Sequence, residues 1–141
     1  MPEPKQVQII KALRERLTGE GFTVKLGEEV DPKGDDLPAV MLGHTREGTT
    51  TIEDRFPTKR AMHLVGECWF EVDKEDSFIE GLKKLDDLKN ALIQVPTRDR
   101  PDTLGDLADS VETGKEIVHT KDNQSRLGVA QVSFTVTYYE G

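Results

Sequence analysis

The sequence predicts one α+β domain, with two main helices packed on one face of a mostly antiparallel or mixed sheet, in the order α-β-β-β-α-β-β. Three observations carry this reading. Two segments place apolar residues at spacings of three and four, two runs alternate strictly between apolar and polar residues, and the regular βαβ repetition of a doubly wound parallel sheet is missing. At 141 residues the chain suits a single domain spanning 1–141, which buries roughly two thirds of its unfolded surface. Only 35% of the residues are hydrophobic while 33% are charged, so nearly every apolar side chain is needed in the core. Little remains to line a ligand pocket.

The first helix is expected over Lys5 to Leu17, where Val7, Ile10, Leu13 and Leu17 form one stripe that Ile9 and Ala12 widen. Gly19 and Gly21 supply its stop signals. Phe22 to Leu26 then reads as a short strand with Phe22, Val24 and Leu26 on one face. Gly27 to Asp36 is polar loop, and Leu37-Pro38 leads into the compact apolar run Ala39 to Leu42, a buried strand. From Thr45 to Arg60 no period is sustained, and the Gly, Thr and charged content predicts a long mobile loop over residues 45–60.

Ala61 to Asp73 is the clearest strand, with Met62, Leu64, Gly66, Cys68, Phe70 and Val72 alternating with His63, Glu67, Glu71 and Asp73. Ser77 and Glu80 make a capping box ahead of the second helical stripe, Phe78, Leu82, Leu85, Leu88, Leu92 and Val95, which Pro96 ends. Thr103 and Asp106 suit a brief turn that docks Leu104 and Leu107, before a strand within Ser110 to His119. In the final strand Ala130, Val132, Phe134, Val136 and Tyr138 alternate with Gln131, Ser133, Thr135 and Thr137.

Charge and composition narrow the function classes. A formal charge of −8 disfavours sequence-independent gripping of nucleic acid, which relies on Lys and Arg neutralising phosphates. Repulsion is compatible with a protein that lets DNA slide past. The one cysteine, Cys68, has no intramolecular disulfide partner, and no charged-then-apolar leader precedes the first helical segment, so cytoplasmic synthesis is expected. No apolar run approaches the ~20 residues that span a bilayer, so the expectation is a soluble chain with no membrane partner.

The chemistry-bearing residues do not assemble into a known motif. His63 and Cys68 lie five apart on a strand and so face opposite ways; His44, His63 and His119 read as surface or loop residues. The acidic loop Glu28, Glu29, Asp31, Asp35 and Asp36 fails the EF-hand template, because a loop begun at Asp31 puts Lys33 at the third position and Leu42 at the twelfth. No nucleophile elbow, Walker loop or dinucleotide fingerprint occurs, and Gly19-Glu20-Gly21 follows a helix instead of a strand. Glu67 and Glu71 read as exposed sheet-face charge. The expectation is therefore no catalytic, cofactor or metal site.

Trp69 is more informative, since it stands on the otherwise polar face of its strand, beside Val65 and between Glu67 and Glu71. Such an aromatic needs a cover, either a loop folding back or a neighbouring subunit. Tyr139, on the alternate face of the last strand, poses the same choice. Val65, Trp69 and Tyr139 are thus candidate subunit-subunit contacts.

Taken together these segments resemble the tail terminator proteins of long-tailed bacteriophages, the minor tail protein U-like family. The likeness spans nearly the whole chain. It rests on the opening amphipathic helix, Leu37-Pro38-Ala39-Val40, the long connection before Ala61 to Asp73, the helix Phe78 to Val95, the Leu104-x-x-Leu107 turn and the ending from Leu127 to Glu140. These are core positions and turns, and the match lies in their order. The resemblance implies a structural, non-enzymatic virion protein that assembles in the bacterial host cytoplasm, from an active phage or a prophage. It would form a hexameric ring on the head-proximal end of the tail tube, stop tube polymerisation and present a surface for head attachment. Its partners would be copies of itself, the tail tube protein and a head-tail connector or neck protein, with DNA passing through without specific binding. The loop residues Thr49, Thr50, Thr51, Ile52, Glu53, Asp54, Arg55 and Phe56 are the expected tube or neck contact, because purely solvated loops seldom carry two large apolar residues. Two alternatives stay open: another head-tail joining protein, and a small ligand-binding module or enzyme with scattered catalytic groups.

Overall fold

The structure, a computed structural model, describes residues 3–72, 77–93, 107–120 and 127–140, without the side chains of residues 77 and 120. In chain order the elements are α1 (Lys5–Gly19), β1 (Thr23–Leu26), β2 (Ala39–Glu53), β3 (Thr58–Glu71), α2 (Ser77–Leu92), β4 (Ser110–Thr120) and β5 (Leu127–Glu140). This is the predicted α-β-β-β-α-β-β order. The strands form one mixed five-stranded sheet, β1-β2-β3-β5-β4, in which β1 runs parallel to β2 and every other pairing is antiparallel.

The two runs with the strictest alternation occupy the middle of the sheet. β3 and β5 pair residue for residue from Thr58↔Glu140 to Glu71↔Leu127. Their even-numbered side chains, Met62, Leu64, Cys68 and Phe70 on one and Ala130, Val132, Phe134, Val136 and Tyr138 on the other, are buried in the core with Ile9, Leu13 and Leu17 of α1 and Leu85, Leu88, Ala91 and Leu92 of α2. Both helices therefore cover the same face. The opposite face carries the odd-numbered residues, among which Ala61 and Val129 are also buried.

α1 departs from the expected stripe. Its buried line is Ile9-Leu13-Leu17, while Ile10 and Ala12 are partly buried and Val7 is exposed. The helix ends as its glycine predicts: Gly21 takes the left-handed conformation, with φ 91°, its amide donates to the Thr18 carbonyl, and the Phe22 amide donates to the Leu17 carbonyl. That pattern satisfies the last free carbonyls and brings buried Phe22 down against the end of the helix.

α2 also departs from its expected stripe. Leu85, Leu88 and Leu92 are buried, but Phe78 is 65% exposed, and Ile79 and Leu82 are exposed beside it. The inward position in the first turns is Gly81, where an added Cβ would collide with Val118 Cγ1 and lie 3.6 Å from Phe70 Cζ. Such a close approach leaves no room for Leu82 or Phe78 against the sheet. The Ser77 side chain of the capping box, Asp73, Val95, Pro96, Thr103, Leu104 and Asp106 lie outside the described residues; Leu107 packs partly against the core.

The largest correction concerns the segment expected to be a long mobile loop, 45–60. Instead, β2 and β3 form a long hairpin whose turn is confined to residues 54–57. The register shifts between His44↔Leu64 and Thr49↔Met62, so residues 45–48 of β2 face the single residue His63, and it shifts again between Thr51↔Arg60 and Glu53↔Lys59. Those bulges erase the two-residue period, and beyond His44 no residue of β2 is buried. β-branched threonines suit such a strand even without an apolar face.

Candidate interaction surfaces

The outer end of the hairpin gathers most of the predicted contact residues. Thr49 lies toward the helical side, where its hydroxyl donates to Gln6 Oε1 at 3.2 Å and sits 3.3 Å from His44 Nε2. Thr50 lies on the other face, 3.1 Å from His63 Nε2. Thr51 is exposed, and Ile52, 53% exposed, sits in the second bulge. Glu53 pairs with Lys59, and Asp54, Arg55 and Phe56 form the tip, where Phe56 is 87% exposed. The Phe56-Pro57 peptide is cis.

The three expected subunit contacts do not form one patch. Val65 and Trp69 are half-buried on the helix-free face of β3, and Trp69 faces Ala39 across one strand boundary and Val129 across the other. Its indole N–H donates to Glu67 Oε1 at 2.8 Å, so Glu67 holds the ring's polar edge instead of standing as simple surface charge. Tyr139 is on the same face but pairs with Lys59, ten strand steps from Trp69, or about 33 Å. It belongs with the hairpin end: Lys59 Nζ lies 5.7 Å from its ring centroid and 3.7 Å from Asp109.

The titratable groups are engaged in local structure. His63 sits between two threonines, with Nδ1 3.2 Å from Thr135 Oγ1 and Nε2 against Thr50, and Glu47 Oε2 lies 3.7 Å from Nδ1. In the acidic loop, the Asp31 amide donates to Asp35 Oδ2 at 2.8 Å and Lys25 Nζ lies 3.4 Å from Oδ1. That amide holds the Asp35 carboxyl below its ordinary value; burial opposes it, and the Lys25 ammonium adds to the lowering. The loop thus spends its best-placed carboxylate on pinning itself beside β1. Among the described residues, no group of three or more His, Cys, Asp or Glu is placed to hold a metal ion, and no helix is long and apolar enough to cross a membrane.

Cys68 is fully buried on the helical face, away from His63, and burial pushes its thiol up to about 12 from 9.0. Thiol reagents at neutral pH should therefore label it only as fast as the chain opens, because the thiolate is the reactive form. The raised value also fixes the sign of a pH effect. The neutral thiol favours the folded state below about pH 9, and that contribution fades as pH rises toward about 12. Urea midpoints measured at pH 7.5 and 10.5 should fall further for the wild type than for Cys68→Ala; equal falls would contradict this account.

Two further surfaces escaped sequence reasoning. Phe78, Ile79 and Leu82 make an exposed apolar patch at the start of α2. A second feature is an apolar groove of about 320 Å³ between α1 and the β1 side of the sheet, with Val7, Ile10, Leu26 and Met62 along it and Lys11 and Arg14 at its rim. Its signal in the sequence was a helix stripe wider than one neighbouring element can cover: Val7 and Ile10 flank the line Ile9-Leu13-Leu17 and stand on the predicted stripe. A comparison with protein-family models finds no match, and neither does a comparison with curated proteins.

Proposed function

We propose that this chain is a structural subunit that works by assembly: a phage tail terminator. As a ring on the head-proximal end of the tail tube, it stops tube growth and offers the surface to which the head attaches. The observation that carries this reading is the turn of the β2–β3 hairpin, residues 54–57 at the end of the sheet, where Phe56 is 87% exposed. A monomer gains nothing by holding a large aromatic in water at the edge of its sheet; a subunit gains a contact. The resemblance in element order to the tail terminator family supplies the kind of assembly. The chain's charge of −8 suits a ring through which DNA passes without sticking.

The same charge makes closure sensitive to salt. Copies brought side by side repel one another, and the Debye length falls from roughly 30 Å at 0.01 M to about 8 Å at 0.15 M ionic strength. Native mass spectra and sedimentation across a salt series should show monomers or partial rings at low salt and more complete rings as ionic strength rises. Electron microscopy of the protein mixed with tail tubes tests the assignment itself. A terminator caps one tube end and fixes length. Binding along tube walls, or only to heads, points instead to another head-tail joining protein, and a monomer under all conditions refutes assembly.

A further inference from the structure

The groove and the hairpin tip have complementary characters, and they sit at different places on one chain. The groove presents Val7, Ile10 and Leu26, an apolar wall left partly open by the elements around it, above the fully buried Met62. Lys11 and Arg14 stand at its rim on α1, a helix that carries Lys5, Lys11, Arg14 and Arg16 against the single acid Glu15. On a chain of formal charge −8, this is a locally basic element. Lys11 is shared with Glu3, 2.7 Å away, and Arg14 is exposed. The tip offers the opposite: exposed Phe56 and Ile52 beside Glu53 and Asp54, partly offset by Arg55.

A chain's own tip is held away from its own groove. The ladder from Thr49↔Met62 to Glu53↔Lys59 fixes the arm. Met62, in the groove, lies four strand steps from Thr58, so the turn begins about 13 Å beyond it. The occupant must come from another molecule. On a chain of net charge −8, the basic residues of α1 attract the acidic side chains of another copy's tip.

We propose that the groove beside α1 receives the β2–β3 hairpin tip of a second copy of this chain, with Phe56 on the apolar wall and Glu53 and Asp54 facing Lys11 and Arg14. The proposal rests on the assembly reading above and names the partner of its exposed hairpin turn. Giver and receiver are different patches, so the contact is head-to-tail. Each copy that docks its tip leaves its own groove free for the next, and the series closes where the rotation per contact divides a full turn. An apolar anchor inside a charged rim is also the arrangement in which few residues carry most of the affinity.

The test compares the self-association of full-length variants by sedimentation velocity at one moderate ionic strength, with circular dichroism as a control for folding. Phe56→Ser and, on the groove side, Val7→Glu should each weaken association by roughly tenfold or more while the fold is kept. Asp54→Arg and Arg14→Glu should each weaken it, and the doubly substituted chain should recover most of the loss, because the ion pair is rebuilt with its signs exchanged. If the wild type associates and Phe56→Ser and Val7→Glu associate equally well, the groove contact is refuted while the assembly reading stands. A Phe56→Ser chain that self-associates normally but no longer caps tail tubes also refutes it, placing the arm on the tube. A wild type that remains monomeric at every salt and protein concentration overturns both.

Discussion

Replacing Phe70 with Ala should lower the stability of the fold by about 3–5 kcal/mol, read as a shift of the urea midpoint at unchanged slope. Phe70 is 1% exposed and occupies the place where three elements meet. Its cross-strand partner is Gly128, and a Cβ added there would lie 2.5 Å from Phe70 Cζ and 2.6 Å from Cε2, so the ring covers the backbone that the glycine leaves bare. The same ring edge reaches Gly81 of α2. Truncation would open space against two glycines at once, and neither has a side chain with which to fill it. The loss therefore belongs at the upper end of the range for large-to-small changes, where collapse around the site is poorest. A cost below about 1 kcal/mol would show that α2 does not lean on the sheet through this ring.

Leu13→Ala should cost about 2–5 kcal/mol and act chiefly on the docking of α1. Ile9, Leu13 and Leu17 are completely buried, and Leu13 is the middle contact of that line. A helix of 15 residues is marginal in water by itself, so its persistence depends on this face. Hydrogen exchange should show the amides of α1 losing protection before those of β3 and β5, whose ladder is complete along both strands. Uniform loss of protection across helix and sheet would mean that α1 opens only with the whole domain.

How much of this was legible beforehand follows from where water lies. The central strands were read correctly because one face of each is sealed by helices, which imposes an apolar residue at every second position. The hairpin was missed because its β2 arm beyond His44 holds no buried residue, and its two register shifts move side chains from one face to the other. The stripe on α2 was drawn through Phe78 and Leu82 because a periodicity count rewards large apolar residues. It cannot see that Gly81, with no side chain, lies closest to the sheet. For the same reason Val7 was placed on the packed stripe of α1: spacing identifies a helix face but not how far along it a neighbour extends. The candidate residues Thr49 to Phe56 were picked out by the presence of Ile52 and Phe56 among polar neighbours. Trp69 and Tyr139 were correctly placed on one face, but their separation follows from a strand register that composition does not encode.

The shortness of β1 carries a consequence for how copies can grow upon one another. It pairs with β2 only from Ala39 to Leu42, so the flank of β2 from Gly43 onward borders no other strand among the described residues. A straight open flank of that length invites further backbones to join it without limit, as in fibrils. Here the detour of residues 45–48 and the offset at Ile52 interrupt the row of amides and carbonyls, and Arg46, Glu47 and Glu53 put charge beside it. Main-chain templating along this flank is thereby disfavoured.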